Sequence, residues 1–156
     1  MKILEPASGK YWEAAIAPVK PEDWITIGQS GKFSFDWEEE KGSAVYTIRL
    51  ITNKEILGLL SLEDIPAELR IHIRLLEVNK ADRGKKRRYA NVAGCLIAFA
   101  CQMAFEKNYD GFVSLFPKSE LVEWYKTRYG LNSMGRNLYT ELENSDRLIQ
   151  KYLIDG

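Results

Sequence analysis

Histidine and cysteine are nearly missing from this chain, which has one of the first, His72, and two of the second, Cys95 and Cys101. One imidazole and two thiols on a single predicted helix cannot assemble a tetrahedral zinc site of the usual kind, so no metal ligands are assigned. Six residues apart on that helix, the two sulfurs lie on different faces and too far apart along the axis to bridge. They read as small core residues kept reduced. Net charge is also lacking, because 22 basic residues balance 22 acidic ones. Nothing global therefore draws the protein to nucleic acid or to an anionic membrane. No apolar run reaches the roughly 18 residues of a membrane span. The longest is bracketed by Asn91 on one side and by Gln102 and Glu106 on the other. The start, Met1 to Pro6, lacks the apolar centre of a signal peptide, so the expected location is the cytoplasm. There is no Walker loop, since Gly84-Lys85-Lys86 lacks both the preceding glycine and the following Ser or Thr, and no nucleophile turn with a Ser-His-Asp set.

What is present is material for one domain, 1–156, with 46% apolar residues and no repeat or low-complexity tract. Residues 1–31 form a variable N-terminal region punctuated by Pro6, Gly9, Pro18, Pro21 and Gly28. It leaves room for short helices at Tyr11 to Ala17 and Glu22 to Ile27, with Trp12 and Trp24 as core plugs. Lys32 to Trp37 alternates polar and aromatic residues, which predicts a half-buried strand ended by Glu38 to Gly42. Ala44 to Thr52 and Ile56 to Leu62 predict an antiparallel hairpin turned at Asn53-Lys54-Glu55. A polar link, Leu62 to Glu68, leads to a further strand from Ile71 to Val78. A helix capped by Ser119 and stopped by Gly130, a strand around Arg136 to Leu142 and a terminal helix from Ser145 to Leu153 complete the pattern. The fold class is α/β (α+β), a mixed, mostly antiparallel sheet flanked by helices.

The most informative stretch is Ile71 to Lys107. A strand is followed by a basic turn, Arg83 to Ala90, and then by an apolar helix from Asn91 to Glu106. This is the order of a phosphate-binding unit, because the first amides of a helix have no partner inside it and point along the positive end of its dipole. Asn91 enters the left-handed region at lower cost than most non-glycine residues, and Ala93 and Gly94 have almost no side chain. The cations Lys85 to Arg88 would gather an anion for those amides to fix. The strand Gly111 to Phe116 follows the helix directly, as in a parallel pair with a right-handed crossover.

The segment Arg88-Tyr89-Ala90-Asn91-Val92-Ala93-Gly94-Cys95-Leu96 resembles the pyrophosphate loop of the GCN5-related N-acetyltransferases. That pattern is Arg or Gln, two residues, Gly, one residue, Gly or Ala, then Leu two residues on. Arg88, Ala93 and Leu96 match it, and Asn91 stands where the family usually has its first glycine. Val78 ends the strand before the loop, and Gly111 to Phe116 stands at the family's next strand. Glu123 to Leu131 resembles the helix ending in Phe-Tyr-x-x-x-Gly-Phe, with one extra residue between Tyr125 and Gly130.

The resemblance implies an N-acetyltransferase with a GNAT-like fold and an acetyl-CoA-binding core at 71–131. It implies a small-molecule or peptide amine as acceptor. The cofactor would be held by Val78, Arg83, Arg88, Tyr89, Ala90, Asn91, Val92, Ala93 and Gly94, with Arg83, Lys86 or Arg87 near the 3′-phosphate. Tyr125 would be the acid that protonates the departing sulfur. The family's glutamate, four residues before Val78, is replaced by Arg74, which could instead bind an acidic acceptor. His72 shares the parity of Arg74, Leu76 and Val78 and is an alternative base, whereas Glu77 has the opposite parity. A lone histidine on a strand is more often structural. The other reading is a fold without catalysis whose Lys85–Arg88 loop contacts nucleic acid or a protein partner, and a homodimer stays open.

Overall fold

The computed structural model describes residues 1–154. The chain opens with a hairpin, β1 (Lys2–Glu5) and β2 (Lys10–Pro18). Here the expected helix at Tyr11 to Ala17 is a strand. Its alanines favour a helix locally, but the two halves of β2 pair with β1 and with β3 (Ala44–Leu50), and the ladder outweighs propensity. Helix α1 (Pro21–Ser30) follows as expected, started by Pro21 and closed by Gly31 at φ 68. Lys32 to Trp37 is not a strand. It is an irregular segment entering a 3-10 turn, Trp37–Glu40, and Phe33 and Trp37 pack under α1 instead of alternating across a sheet.

Strands β3, β4 (Ile56–Ile65) and β5 (Arg70–Val78) form an antiparallel meander. The expected link after Leu62 is shorter than its polar sequence suggests, because β4 runs on to Ile65 and the turn is Pro66–Glu68. Helix α2 (Val92–Glu106) then crosses over to β6 (Val113–Leu115), which lies parallel to β5. Ser119 opens a short 3-10 turn and caps nothing, since helix α3 (Val122–Tyr129) starts three residues later with Leu121 at its N-cap. Gly130 stops it at φ 70. A hairpin, β7 (Asn132–Met134) and β8 (Asn137–Thr140), and helix α4 (Leu142–Ile149) end the described chain, with a π turn at Gln150–Ile154. All pairs except β5 with β6 are antiparallel, and the strand order is β1-β2-β3-β4-β5-β6-β8-β7.

The sheet separates two apolar clusters. On one face α2 and α4 bury Leu96, Ile97, Cys101 and Leu148 against Leu60, Leu62, Ile71 and Val113. Each such side chain is worth about 1.5–3 kcal/mol of burial. On the other face α1 and the 3-10 turn cover Leu59, Val45 and Ile56 with Ile27 and Trp37. Trp12 packs on the first cluster and Trp24 on the second. Helix α2 comes so close to β4 that a Cβ at Gly58 would sit 3.1 Å from both Leu96 and Val92. Both cysteines are buried within this helix and free, and burial pushes their thiols up to about 12, which keeps them protonated.

Two irregularities in β5 position the site. Its pairing with β6 runs only from Ile71 with Val113 to Ile73 with Leu115, and beyond that point the two strands part. On its other side, Ser61 pairs with Leu75 and Leu62 with Ile73, so Arg74 is an extra, bulged residue. The bulge reverses the alternation. Ile71, Ile73, Leu76 and Val78 face α2, whereas Leu75 and Glu77 contact the α1 side, as do Arg74 and His72 through their partners. The expectation that His72 shares a face with Leu76 and Val78, and opposes Glu77, is corrected here. Parity counts fail across a bulge.

Candidate active site

The loop between β5 and α2 is braced from within. Asn79 Oδ1 accepts the Ala81 N–H at 3.0 Å and starts a short 3-10 turn, Lys80–Asp82. Arg88 then reaches back and puts its guanidinium on Asp82 at 3.1 Å through both Nε and Nη2, while Nη2 also meets Glu55 at 2.8 Å. Burial pushes the Asp82 carboxyl up, against the pull of Arg88. Glu55 is held below the usual carboxylate range, since the bonds and charge of Arg88 and Lys32 outweigh burial, which works the other way. The Arg88 guanidinium is thus a strut of the loop.

The amides of this loop divide into two groups. Arg88 N–H donates to Ala81 O at 3.1 Å, and Ala90 N–H donates to Leu4 O at 2.8 Å, tying the loop to β1. The expected run of free amides from Arg88 to Gly94 therefore narrows to its second half. Asn91 adopts φ 71, ψ 11 at the N-cap of α2, as its side chain permits. The first bond of the helix runs from Cys95 N–H to Asn91 O at 3.0 Å, so Val92, Ala93 and Gly94 carry the leading amides. Gly94 has a different constraint on its Cα side, where a Cβ would lie 2.4 Å from the Tyr152 ring. It is small so that the C-terminal turn can pack against α2.

A cavity of about 280 Å³ opens in front of these amides, lined by Val78, Arg83, Arg87, Asn91, Val92 and Ala93 and closed by Trp124, Arg128 and Tyr129 of α3. Trp124 and Arg128, four residues apart, present one stripe of α3 to it. Tyr125 and Tyr129 form the neighbouring stripe and pack on the core. Burial pushes the Tyr125 phenol up, so it holds its proton at neutral pH. Arg83 lines the cavity while giving Nε to Val78 O and Nη2 to Glu77, each at 2.6 Å. Arg87 Nη1 donates to Gly84 O at 2.9 Å. Of the residues expected to meet a cofactor, Val78, Arg83, Asn91, Val92 and Ala93 share this cavity. Arg88, Tyr89 and Ala90 stand behind it.

Behind β5 the Glu77 carboxylate gathers the segment from Ser34 to Trp37, where the sequence predicts a strand. It accepts N–H groups from Ser34, from Phe35 at 3.1 Å and from Trp37 Nε1 at 2.8 Å, with Arg83 as the fourth donor. Burial works to raise this carboxyl, and the donors together outweigh it and hold it low. At the bulge, Arg74 is gripped by Glu40, which the sequence suggests only as part of the break, Glu38 to Gly42, that ends a strand. Trp37 and Glu40 stand three apart and are both buried, a short-helix period that could have signalled it.

No group of three or more metal-binding side chains occurs among the described residues, and no helix among them is long and apolar enough to cross a membrane. No family model and no curated protein matches the chain. Solved structures do. An N-acetyltransferase from Staphylococcus aureus is 16% identical, with a TM-score of 0.57 over 84% of this chain and 99% of that one. A spermidine N-acetyltransferase chimera from Vibrio cholerae is 11% identical, with a TM-score of 0.61 over 88% of this chain and 98% of that one. An N-acetylglutamate synthase from Neisseria gonorrhoeae, in complex with coenzyme A and N-acetyl-glutamate, is 13% identical with a TM-score of 0.59, and the match covers 86% of this chain but 36% of that one. At such identities the likeness is one of architecture, and the architecture of this chain is the acyl-CoA N-acyltransferase fold of the GCN5-related N-acetyltransferases.

Proposed function

We propose that the protein transfers an acetyl group from acetyl-CoA to an amine. The observation that carries this reading is the junction of the split between β5 and β6 with the cavity at the start of α2. The residues suit a diphosphate: leading helix amides at Val92 to Gly94, a left-handed Asn91 that turns the chain without a bulky side chain over them, and Arg83, Arg87 and Arg128 around the mouth. The free edge of β5 from Arg74 to Val78 offers unpaired peptide groups to an extended amide-bearing arm. Bound there, acetyl-CoA supplies an acyl carbon activated as a thioester.

The chain's own residues then position and protonate. As the acceptor nitrogen forms its bond to the acyl carbon and the carbon–sulfur bond breaks, the Tyr125 hydroxyl gives its proton to the departing sulfur, and the amine proton leaves to solvent. Burial keeps this phenol protonated at neutral pH, so the proton is in place to be given. The competing use of Lys85 to Arg88 as a nucleic-acid contact is not favoured, because Arg88 is spent on Asp82 and Glu55 and Arg87 lines the cavity. A thermal shift with acetyl-CoA tests the reading. A ligand at a hundred times its Kd stabilises the native state by roughly 2.7 kcal/mol, so the melting temperature must rise. An unmoved transition at millimolar acetyl-CoA would sink the proposal.

A further inference from the structure

Beyond the cover of α1 and the 3-10 turn, one face of the sheet carries a polar cluster beside the split. Its members come from four elements: Glu40 from the turn, Glu63 from β4, His72 and Arg74 from β5, and Ser114 from β6. Arg74 is the bulged residue just past the last β5–β6 pair. Its Nε lies 2.9 Å from Glu40 Oε1 and its Nη1 3.7 Å from Glu63 Oε1. Glu40 is buried, with 7% of its side chain exposed, and also accepts the Ser61 hydroxyl at 2.7 Å. Glu63 is half exposed, at 49%.

Arg70, Lys118 and His72 also belong to this face. Arg70 is paired with Glu68 at 2.8 Å. The Lys118 ammonium stands over the Phe35 ring at 5.7 Å. His72 Nδ1 faces Arg70 Nη1 at 3.3 Å and Ser114 Oγ at 2.8 Å. A guanidinium only donates, so the lone pair of the ring is at Nδ1 and the ring hydrogen at Nε2. Burial, helped by Arg70, lowers this imidazole's pKa and keeps it neutral. His72 therefore offers a donor here and not a base. Glu40, Glu63 and Arg74 together carry one net negative charge, and the exposed carboxylate among them is Glu63.

We propose that Glu40 sets the charge of the acceptor. By holding Arg74, it withdraws the cation of β5 just past the split and leaves Glu63 as the exposed carboxylate beside it. The amine taken up is then one whose molecule carries a second cationic group. This deepens the acetyltransferase reading and rests on it. The sequence-level expectation that Arg74 binds an acidic acceptor is reversed by the partner that folding brings to it.

The test uses a pair of amines matched in length, 1,4-diaminobutane and 4-aminobutanoate, titrated calorimetrically into the full chain with coenzyme A present. The native protein binds the diamine about three- to fivefold more tightly, the factor for one partly exposed charge interaction. Glu63→Gln, at a half-exposed site with no packing role, removes most of that preference. Glu40→Gln keeps an acceptor for Ser61 while releasing Arg74, and 4-aminobutanoate gains affinity. Equal or tighter binding of 4-aminobutanoate by the native protein overturns the inference, and so does a ratio that neither substitution moves. Coenzyme A titrated alone separates the two readings: a protein that does not bind it loses the acetyltransferase assignment, while the amine pair still reports on charge selection.

Discussion

The two ends of the cleft are built on opposite plans. At the cofactor end, Val78, Arg83 and Asn91 to Ala93 come from one continuous segment, and what they offer a ligand is mostly backbone. At the proposed acceptor end, Glu40, Glu63 and Arg74 come from three separate elements, and what they offer is side-chain charge. A backbone site depends on local conformation, which neighbouring residues dictate. A side-chain site depends on which distant elements the sheet brings together.

Substitutions can break or sharpen this contrast. Ala93→Asp puts a carboxylate against the leading amides of α2, and coenzyme A affinity should fall by about a hundredfold or more while the fold persists. Calorimetry with a melting curve as control checks it, and undiminished binding would remove the helix start from the site. Tyr125→Phe should slow turnover at saturating substrates by about a hundredfold or more and leave cofactor affinity within a few-fold. Unchanged turnover would take Tyr125 out of the chemistry.

Smaller effects separate support from contact. Glu77→Gln leaves several buried N–H donors facing a weaker acceptor and should cost about 2–4 kcal/mol by denaturant titration at pH 7. The native carboxyl is held below its ordinary value near 4.5, so its contribution is complete above that pH and is lost as pH falls through the lower, folded value. The variant should accordingly lose less stability than the native protein on acidification through that window. A parallel decline in both would show that the donors do not depend on the charge. Gly94→Ala should destabilise by about 1–3 kcal/mol by driving a Cβ into the Tyr152 ring, with coenzyme A affinity per folded molecule nearly unchanged. A large loss of affinity without loss of stability would instead place the ligand on that face.

The strand, turn and helix from Ile71 to Glu106 were readable because each piece answers to its own residues. Asn91 could be assigned a left-handed conformation from its chemistry alone, and it has one. The misreadings share a cause. Tyr11 to Ala17 looks helical until two strands offer it partners. Lys32 to Trp37 alternates like a strand, but its amides answer to Glu77, more than forty positions away. His72 was given the wrong companions because a bulge at Arg74 shifts the count by one.

Sequence by itself determined the order of elements around the loop, the left-handed turn at Asn91 and the neutrality of the chain as a whole, since these follow from short-range sterics and composition. Only the tertiary structure decided that Arg88 braces the loop, that Gly94 makes room for Tyr152 and that Arg74 is held by Glu40. Charge pairing and close packing act through space, between residues whose separation along the chain carries no trace of the meeting.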